Sequence, residues 1–126
     1  GADSAFEFGC NQQSGSKEIY LATDKILPEC FVIAEEIHPA WHRCSDYAKK
    51  LHARNCYQVL GRDLQTPSDF LVCWTRNGEL VGGTRTAIVL ATSRNIPVYN
   101  LAIEQQMRDL VTLIKSFPVT IAPLEK

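Results

Sequence analysis

The hydrophobic and polar positions of the chain alternate between helical spacing and the short apolar runs that are typical of strands. Helical spacing starts near residue 5 and recurs at residues 28–37, 39–60, 86–93 and 102–117. Runs rich in β-branched and aromatic residues predict strands at residues 17–22, 69–75 and 96–101. Residues 118–126 are either an edge strand or a disordered end. Because helices and strands follow one another in turn, the pattern predicts an α/β layer fold with a mostly parallel sheet.

The longest predicted helix, residues 39–60, has one continuous face of three- and four-residue spacing. Trp41, Ala48 and Leu51 lie on it, and Asn55 continues it. A polar amide at such a position either bonds to neighbouring protein groups or contacts a ligand. The general behaviour of buried amides favours a protein partner.

The strongest functional signal is a strand that is followed by a glycine pair. Residues 69–75 form the predicted strand, and Gly82-Gly83-Thr84 opens the next helix after a short turn. This order places backbone N–H groups at a helix N-terminus beyond the carboxyl end of a strand, where α/β folds bind phosphate groups. The alternative is that the two glycines only turn the chain.

Side chains near this turn supply further groups that a ligand needs. Arg85 has a fixed charge suited to phosphate, and Thr84 has a hydroxyl group. Asp3 either caps the first helix or accepts a hydrogen bond from a ribose hydroxyl. The candidate ligand-binding residues are Asp3, Arg54, Asn55, Thr75, Gly82, Gly83, Thr84 and Arg85.

Length and charge limit the class of protein. The 126 residues are expected to form one domain, residues 1–126, and the net charge of −1 gives no general attraction to nucleic acid or anionic lipid. A local basic patch that binds nucleic acid is left open. The longest apolar runs are too short to cross a bilayer and no secretory signal is recognisable, so we expect a cytoplasmic protein with no membrane partner.

Five cysteines and three histidines raise the question of a metal site. No cysteine pair has the C-x-x-C spacing of a zinc or redox site, and the histidines do not complete one. We therefore expect the cysteines to be small buried residues in a reducing compartment, and we expect neither a metal nor a cofactor.

Three motifs together resemble the SLOG superfamily, a group that includes DNA-processing protein A and the Lonely Guy phosphoribohydrolases. They are AKKLHARN at residues 48–55, SDFLVCWT at residues 68–75 and GGT at residues 82–84. The likeness covers residues 1–101, and it is greatest to small bacterial and phage members. It implies a Rossmann-like three-layer fold, with a sheet flanked by helices and a nucleotide-type ligand between two glycine-rich loops. Gly1-Ala2-Asp3 is similar to the end of the first loop, so we expect the domain's first strand to be missing from the N-terminus.

The resemblance also implies a difference from the enzymes of the group. Arg54 matches the arginine of the phosphoribohydrolase motif. Val89 stands where those enzymes have a glutamate, and Arg85 stands where they have a glycine. Hydrolysis of a glycosidic bond needs a carboxylate. We therefore expect ligand binding rather than catalysis, and assign no catalytic residue.

The predicted function is a small nucleotide- or nucleotide-sugar-binding protein. The first alternative is a nucleotide N-glycosidase, similar to the phosphoribohydrolases, in which Asp3, Glu7 or Asp69 replaces the missing glutamate. The second alternative is an accessory protein in DNA processing or recombination. We also expect a homo-oligomer, because a sheet without its first strand has an open edge and uncovered helix faces.

Overall fold

Two short strands in the second half of the chain pair in parallel. In the computed structural model, which describes residues 2–118, β1 (Leu71–Cys73) lies beside β2 (Val98–Asn100). The helix α4 (Gly82–Ser93) connects them, because two parallel strands need a crossover between their ends. The prediction of helices combined with a parallel sheet is therefore confirmed.

Four more α-helices occur in the described part of the chain, three before β1 and one after β2. They are α1 (Ala2–Gln12), α2 (Pro28–Ile37), α3 (Asp46–Leu60) and α5 (Glu104–Lys115). Helix α2 has its predicted bounds, since Pro28 occupies its first turn and the residue before Pro39 leaves the helical region. None of these helices, nor α4, is long and apolar enough to cross a membrane.

The helix predicted over residues 39–60 is interrupted near its start. A separate 3₁₀ turn covers Trp41–Arg43, and α3 begins only at Asp46. The Ser45 hydroxyl accepts a hydrogen bond from the N–H of Ala48 at 3.1 Å and caps α3 at this point. The predicted continuous face is therefore wrong for the first residues of the segment.

The strand predicted at residues 17–22 is absent from the structure. Residues 15–21 have no regular secondary structure, and no described strand pairs with them. A strand forms only where a neighbour satisfies its backbone N–H and C=O groups. Here the carbonyl of Tyr20 instead accepts a hydrogen bond from Arg54 Nη1 at 3.2 Å.

The hydrophobic core forms around α3, against which both α2 and α4 pack. Its members are mostly aliphatic or small side chains of these three helices. The buried cluster contains Cys30, Ala53, Cys56, Tyr57, Val59, Leu60, Ala87, Leu90, Ala91 and Ile96. Because α3 is covered by two helices, the side chains that it carries into a site are held in fixed positions.

The last described helix is much less covered than the sequence pattern predicts. Helix α5 packs against β2 and buries only Leu110. Met107, Ile114 and Phe117, which share the predicted apolar stripe, are about half exposed. The prediction of an edge strand or a disordered end at residues 118–126 falls, apart from Pro118, outside the described residues.

Candidate functional site

A cleft of about 410 Å³ lies beside β1, and no residue of β2 lines it. Its walls come from α1, α3, β1 and the first two turns of α4, together with Glu18 and Tyr20. This space, the β1 cleft, includes Trp74 just beyond the carboxyl end of β1. It therefore occupies the place where α/β folds commonly bind ligands.

Five of the eight predicted binding residues line the β1 cleft. They are Asp3, Arg54, Asn55, Gly83 and Thr84. These residues belong to α1, α3 and α4, which are far apart in the sequence. The fold thus brings residues of three separate helices to one cleft.

Asn55 links α3 to the start of α4. Its side chain is almost completely buried, and Nδ2 donates a hydrogen bond to the carbonyl oxygen of Gly83 at 2.9 Å. That carbonyl fixes the orientation of the amide, because only the NH₂ group can donate to it. The Nδ2 group of Asn55 therefore has a protein partner, as the general behaviour of buried amides predicts. The same hydrogen bond holds the first turn of α4 beside the cleft.

Arg54 supplies the positive charge of the cleft. Its Nη1 donates to the carbonyl oxygen of Tyr20 at 3.2 Å and lies 3.8 Å from Asp3 Oδ2. The Arg54 side chain is only 18% exposed, whereas that of Asp3 is 76% exposed, so the ion pair is weak. Arg54 Nε also donates to the carbonyl oxygen of Leu51 at 3.5 Å, so three of the five N–H donors of the guanidinium remain for a ligand.

Among the residues that the structure describes, no side chain caps the first turn of α4. Val81 precedes it and makes no side-chain capping hydrogen bond, and the first turn contains no acidic residue. Gly82 has φ of 64°, a left-handed conformation that glycine adopts without strain. The first amides of a helix lack intrahelical acceptors and carry partial positive charge. This turn, with Gly83 and Thr84 in the cleft wall, therefore suits an anion.

Helix α4 begins at Gly82, earlier than the predicted start at Thr86, and this moves Arg85 away from the cleft. Arg85 lies two residues after Gly83, which is about 200° around a helix. Its Nη1 donates to the carbonyl oxygen of Ile37 at 2.9 Å and joins α4 to the end of α2. Neither Gly82 nor Arg85 lines the β1 cleft.

Thr75 is also outside the cleft, and it pairs with Asn100, which is not among the predicted site residues. Asn100 Nδ2 donates to Thr75 Oγ1 at 2.6 Å, and Thr75 N–H donates to Asn100 Oδ1 at 3.3 Å. Both residues are buried. A polar residue at the end of each predicted strand is the only sequence signal for this pair.

The enzyme alternative needs one carboxylate in place of the missing glutamate, and one of its three candidates lines the cleft. Asp3 lines the cleft and Glu18 joins it, but neither Glu7 nor Asp69 does. Glu7 Oε2 is instead 2.6 Å from Lys17 Nζ. Two carboxylates and one guanidinium therefore set the charge of this space.

The cysteines form no disulfide, and those near the core are poor nucleophiles. Cys73 lines the cleft, but burial raises the pKa of its thiol. Burial also raises the pKa of Cys56, to about 12. The interpretation of cysteines as small buried residues holds for Cys30, Cys56 and Cys73, whereas Cys10 and Cys44 are half-buried.

A second polar cluster lies on another face of α3. His52 is buried, its Nδ1 is 3.0 Å from Thr86 Oγ1, and its ring packs edge-on against His38. The pKa of His52 is lowered, mainly by burial and to a smaller extent by the nearby His38. Cys44 Sγ lies 3.7 Å from His38 Nε2. Spacing along the sequence missed this group because its members lie on three separate segments.

No family model, no curated protein and no solved structure matches the chain. The likeness to the SLOG superfamily therefore depends on the sequence motifs alone.

Proposed function

We propose that the β1 cleft binds a nucleotide or a nucleotide sugar. The observation that carries the proposal is that an uncapped helix N-terminus and a guanidinium line the same cleft as carboxylates and aromatic rings. The first two groups suit a phosphate, and the others suit a ribose and a base. The residues concerned are Asp3, Phe6, Glu18, Tyr20, Arg54, Trp74, Gly83 and Thr84.

The phosphate end of the ligand is assigned to the first turn of α4. Gly83 has no Cβ, so a phosphate oxygen can approach the backbone N–H groups closely. Thr84 adds a hydroxyl donor, and Arg54 adds charge from the facing helix. Asn55 fixes the distance between these two helices through its hydrogen bond to Gly83.

The nucleoside end is assigned to the carboxylates and aromatic rings of the cleft. The carboxylates of Asp3 and Glu18 are acceptors for ribose or sugar hydroxyl groups. Trp74 is 51% exposed at the carboxyl end of β1, and Tyr20 lines the same cleft. An exposed aromatic ring at this position is suited to stack on a base.

The charge balance of the cleft selects among nucleotides. One guanidinium faces two carboxylates, so a ligand with three phosphates would meet more repulsion than attraction. We therefore expect a nucleoside monophosphate or a nucleotide sugar to bind more tightly than a nucleoside triphosphate.

We also infer that β1 and β2 belong to a larger Rossmann-like sheet of the SLOG type. In the pairing register, the backbone N–H and C=O groups of Leu71 and Cys73 point towards β2. The backbone N–H and C=O groups of Val72 therefore point to the other side of β1, where the sheet is open. Among the described residues, nothing pairs with Val72 there. A further strand along the open side of β1 would pair with these groups of Val72. The expected strand ahead of Gly1 stays a prediction.

Isothermal titration calorimetry tests the ligand proposal. The panel consists of nucleoside monophosphates, ADP-ribose and ATP, each titrated into the full chain. We expect ADP-ribose or a monophosphate to bind, and Arg54→Met to weaken binding about 10- to 100-fold through the loss of charge-assisted hydrogen bonds. Arg43→Met is the matched control, because Arg43 is exposed and does not line the cleft.

Two results would contradict the proposal. One is the absence of binding heat for every member of the panel with folded protein, and the other is equal binding by the Arg54 and Arg43 variants. Asp3 and Glu18 share the cleft with Arg54 and could supply the carboxylate that the N-glycosidase alternative needs. Base release from the same ligands is therefore measured by chromatography. Release that Asp3→Asn abolishes would favour the N-glycosidase alternative.

A further inference from the structure

Three side chains with metal-ligating atoms converge between the end of α2 and the middle of α3. His38 follows the last residue of α2, Cys44 follows the 3₁₀ turn, and His52 belongs to α3. One ligating atom of each lies within 4.8 Å of the others. Among residues 2–118 this is the only such group of three or more histidine, cysteine or acidic side chains.

We propose that His38, Cys44 and His52 bind a divalent transition-metal cation of the Zn²⁺ class. Imidazole nitrogen and thiolate sulfur are the ligands that Zn²⁺ prefers in proteins. Mg²⁺ and Ca²⁺ prefer oxygen ligands, and none of these three side chains supplies one.

The spacing of the ligand atoms fits tetrahedral coordination. Ligands at the usual Zn–N and Zn–S distances are about 3.6 Å apart in a tetrahedral site. Cys44 Sγ and His38 Nε2 are 3.7 Å apart, so this pair needs almost no rearrangement. The longest separation in the cluster, up to 4.8 Å, would have to shorten by a rotation of a side chain.

His52 already has the outer contact that metal-binding histidines commonly make. Its Nδ1 is 3.0 Å from Thr86 Oγ1, and a hydrogen bond from Nδ1–H to that oxygen leaves Nε2 as the ligating atom. Such contacts orient the ring before the metal binds. Thr86 is buried in α4, so its position is fixed by the core.

Metal binding requires two changes of protonation in the cluster. The Cys44 thiol loses its proton to solvent and becomes a thiolate. His38 Nδ1 now accepts the N–H of Ala40 at 3.0 Å, which places the ring proton on Nε2. Ligation through Nε2 moves this proton to Nδ1 and replaces one backbone hydrogen bond by a metal–nitrogen bond. One proton is therefore released for each cation that binds.

Three protein ligands leave one position of a tetrahedral cation for water or a small molecule. Trp41 lies beside the cluster, with its ring centroid 6.3 Å from that of His38 and 6.5 Å from that of His52.

None of the three proposed ligands lines the β1 cleft. The metal proposal therefore stands or fails independently of the nucleotide proposal.

Titration of the reduced full chain with Co²⁺ tests the proposal. We expect a thiolate-to-cobalt charge-transfer band that saturates at one Co²⁺ per chain and disappears when one equivalent of Zn²⁺ is added. Cys44→Ser should abolish the band, and His38→Gln should weaken binding at least tenfold. Cys10→Ser and His42→Ala are the matched controls, because both residues lie outside the cluster. Both should bind as the unchanged chain does.

Thr86→Val is the second-contact variant and should weaken Co²⁺ binding about 10- to 100-fold while the band keeps its shape. Circular dichroism without metal checks that each variant is folded, and Cys44→Ser is decisive because Cys44 is only half-buried. Three results overturn the proposal. They are the absence of a charge-transfer band, a band that survives Cys44→Ser, and a band that Cys10→Ser removes.

Discussion

The amide of Asn100 joins the carboxyl ends of the two strands. It donates to Thr75 Oγ1, and its Oδ1 accepts the N–H groups of Thr75 and Ala102. Both side chains are buried, so each group left without its partner loses the hydrogen bond and stays out of water. The Thr75–Asn100 pair therefore holds the segment just after β1 in place, and this segment includes the exposed Trp74.

We expect Thr75→Val and Asn100→Ala each to lower the free energy of unfolding by about 1–3 kcal/mol. Because the two residues share a hydrogen bond, the double variant should lose less than the sum of the single losses, with a coupling of about 0.5–3 kcal/mol. Urea denaturation of the four proteins measures this coupling. Thr92→Val on the exposed end of α4 should change stability little, and additive losses at 75 and 100 would contradict the prediction.

At the scale of the element, the position of Ser45 decides where α3 starts. Its hydroxyl satisfies the Ala48 N–H, which has no acceptor within the helix. The same start leaves Cys44 outside α3 and next to His38. A single cap thus separates the 3₁₀ turn from the long helix and positions the metal-ligating cluster.

Ser45→Ala should therefore lower the free energy of unfolding by about 1 kcal/mol. Ser45→Asp should retain most of the stability, since a carboxylate also accepts the Ala48 N–H and is favoured at a helix N-terminus. The control is Ser4→Ala, at an exposed position within α1. Thermal unfolding compares the three variants, and an equal loss for Ser45→Ala and Ser45→Asp would argue against the cap.

Elements with a local signal at both ends were predictable from the sequence. Helix α2 has proline at its start and at its end, and its bounds came out as expected. The strand predicted at residues 17–22 did not form, because a strand needs a neighbour to pair with. The described residues supply no such neighbour. Local propensity cannot report the presence of a pairing partner.

Residues of the candidate site were likewise predictable where the signal is local in the sequence. Gly83 and Asn55 were predicted because a glycine pair after a strand and a polar residue on an apolar face are visible locally. Arg85 was placed in the site wrongly, because the helix starts four residues earlier than predicted and turns the side chain away. His52 was missed because α2 and α4 bury it, and this depends on packing between distant segments.

At the scale of the whole molecule, α3 is the element that both proposed sites share. Leu51, Arg54, Asn55 and Gln58 line the β1 cleft at helical spacing. His52 is about 100° around the helix from Leu51 and belongs to the metal-ligating cluster instead. One rigid, doubly covered helix thus separates two polar sites on different faces.

The described residues also leave apolar surface uncovered, and the expected homo-oligomer stays a prediction that this surface supports. On α5, Met107, Val111 and Ile114 are each between 43% and 51% exposed and lie at helical spacing along one side. A continuous exposed apolar stripe favours association. The small net charge of −1 opposes it little.

We expect light scattering after size-exclusion chromatography to give a molar mass that rises with protein concentration. Val111→Glu combined with Ile114→Glu should return the mass to that of a single chain, because each chain would have to bury two carboxylates at the contact. Gln105→Glu combined with Thr112→Glu adds the same charge on exposed positions of α5 and should leave association unchanged. A single-chain mass for the unchanged protein at every concentration would exclude the oligomer. Equal loss of association in both double variants would instead assign it to net charge rather than to this stripe.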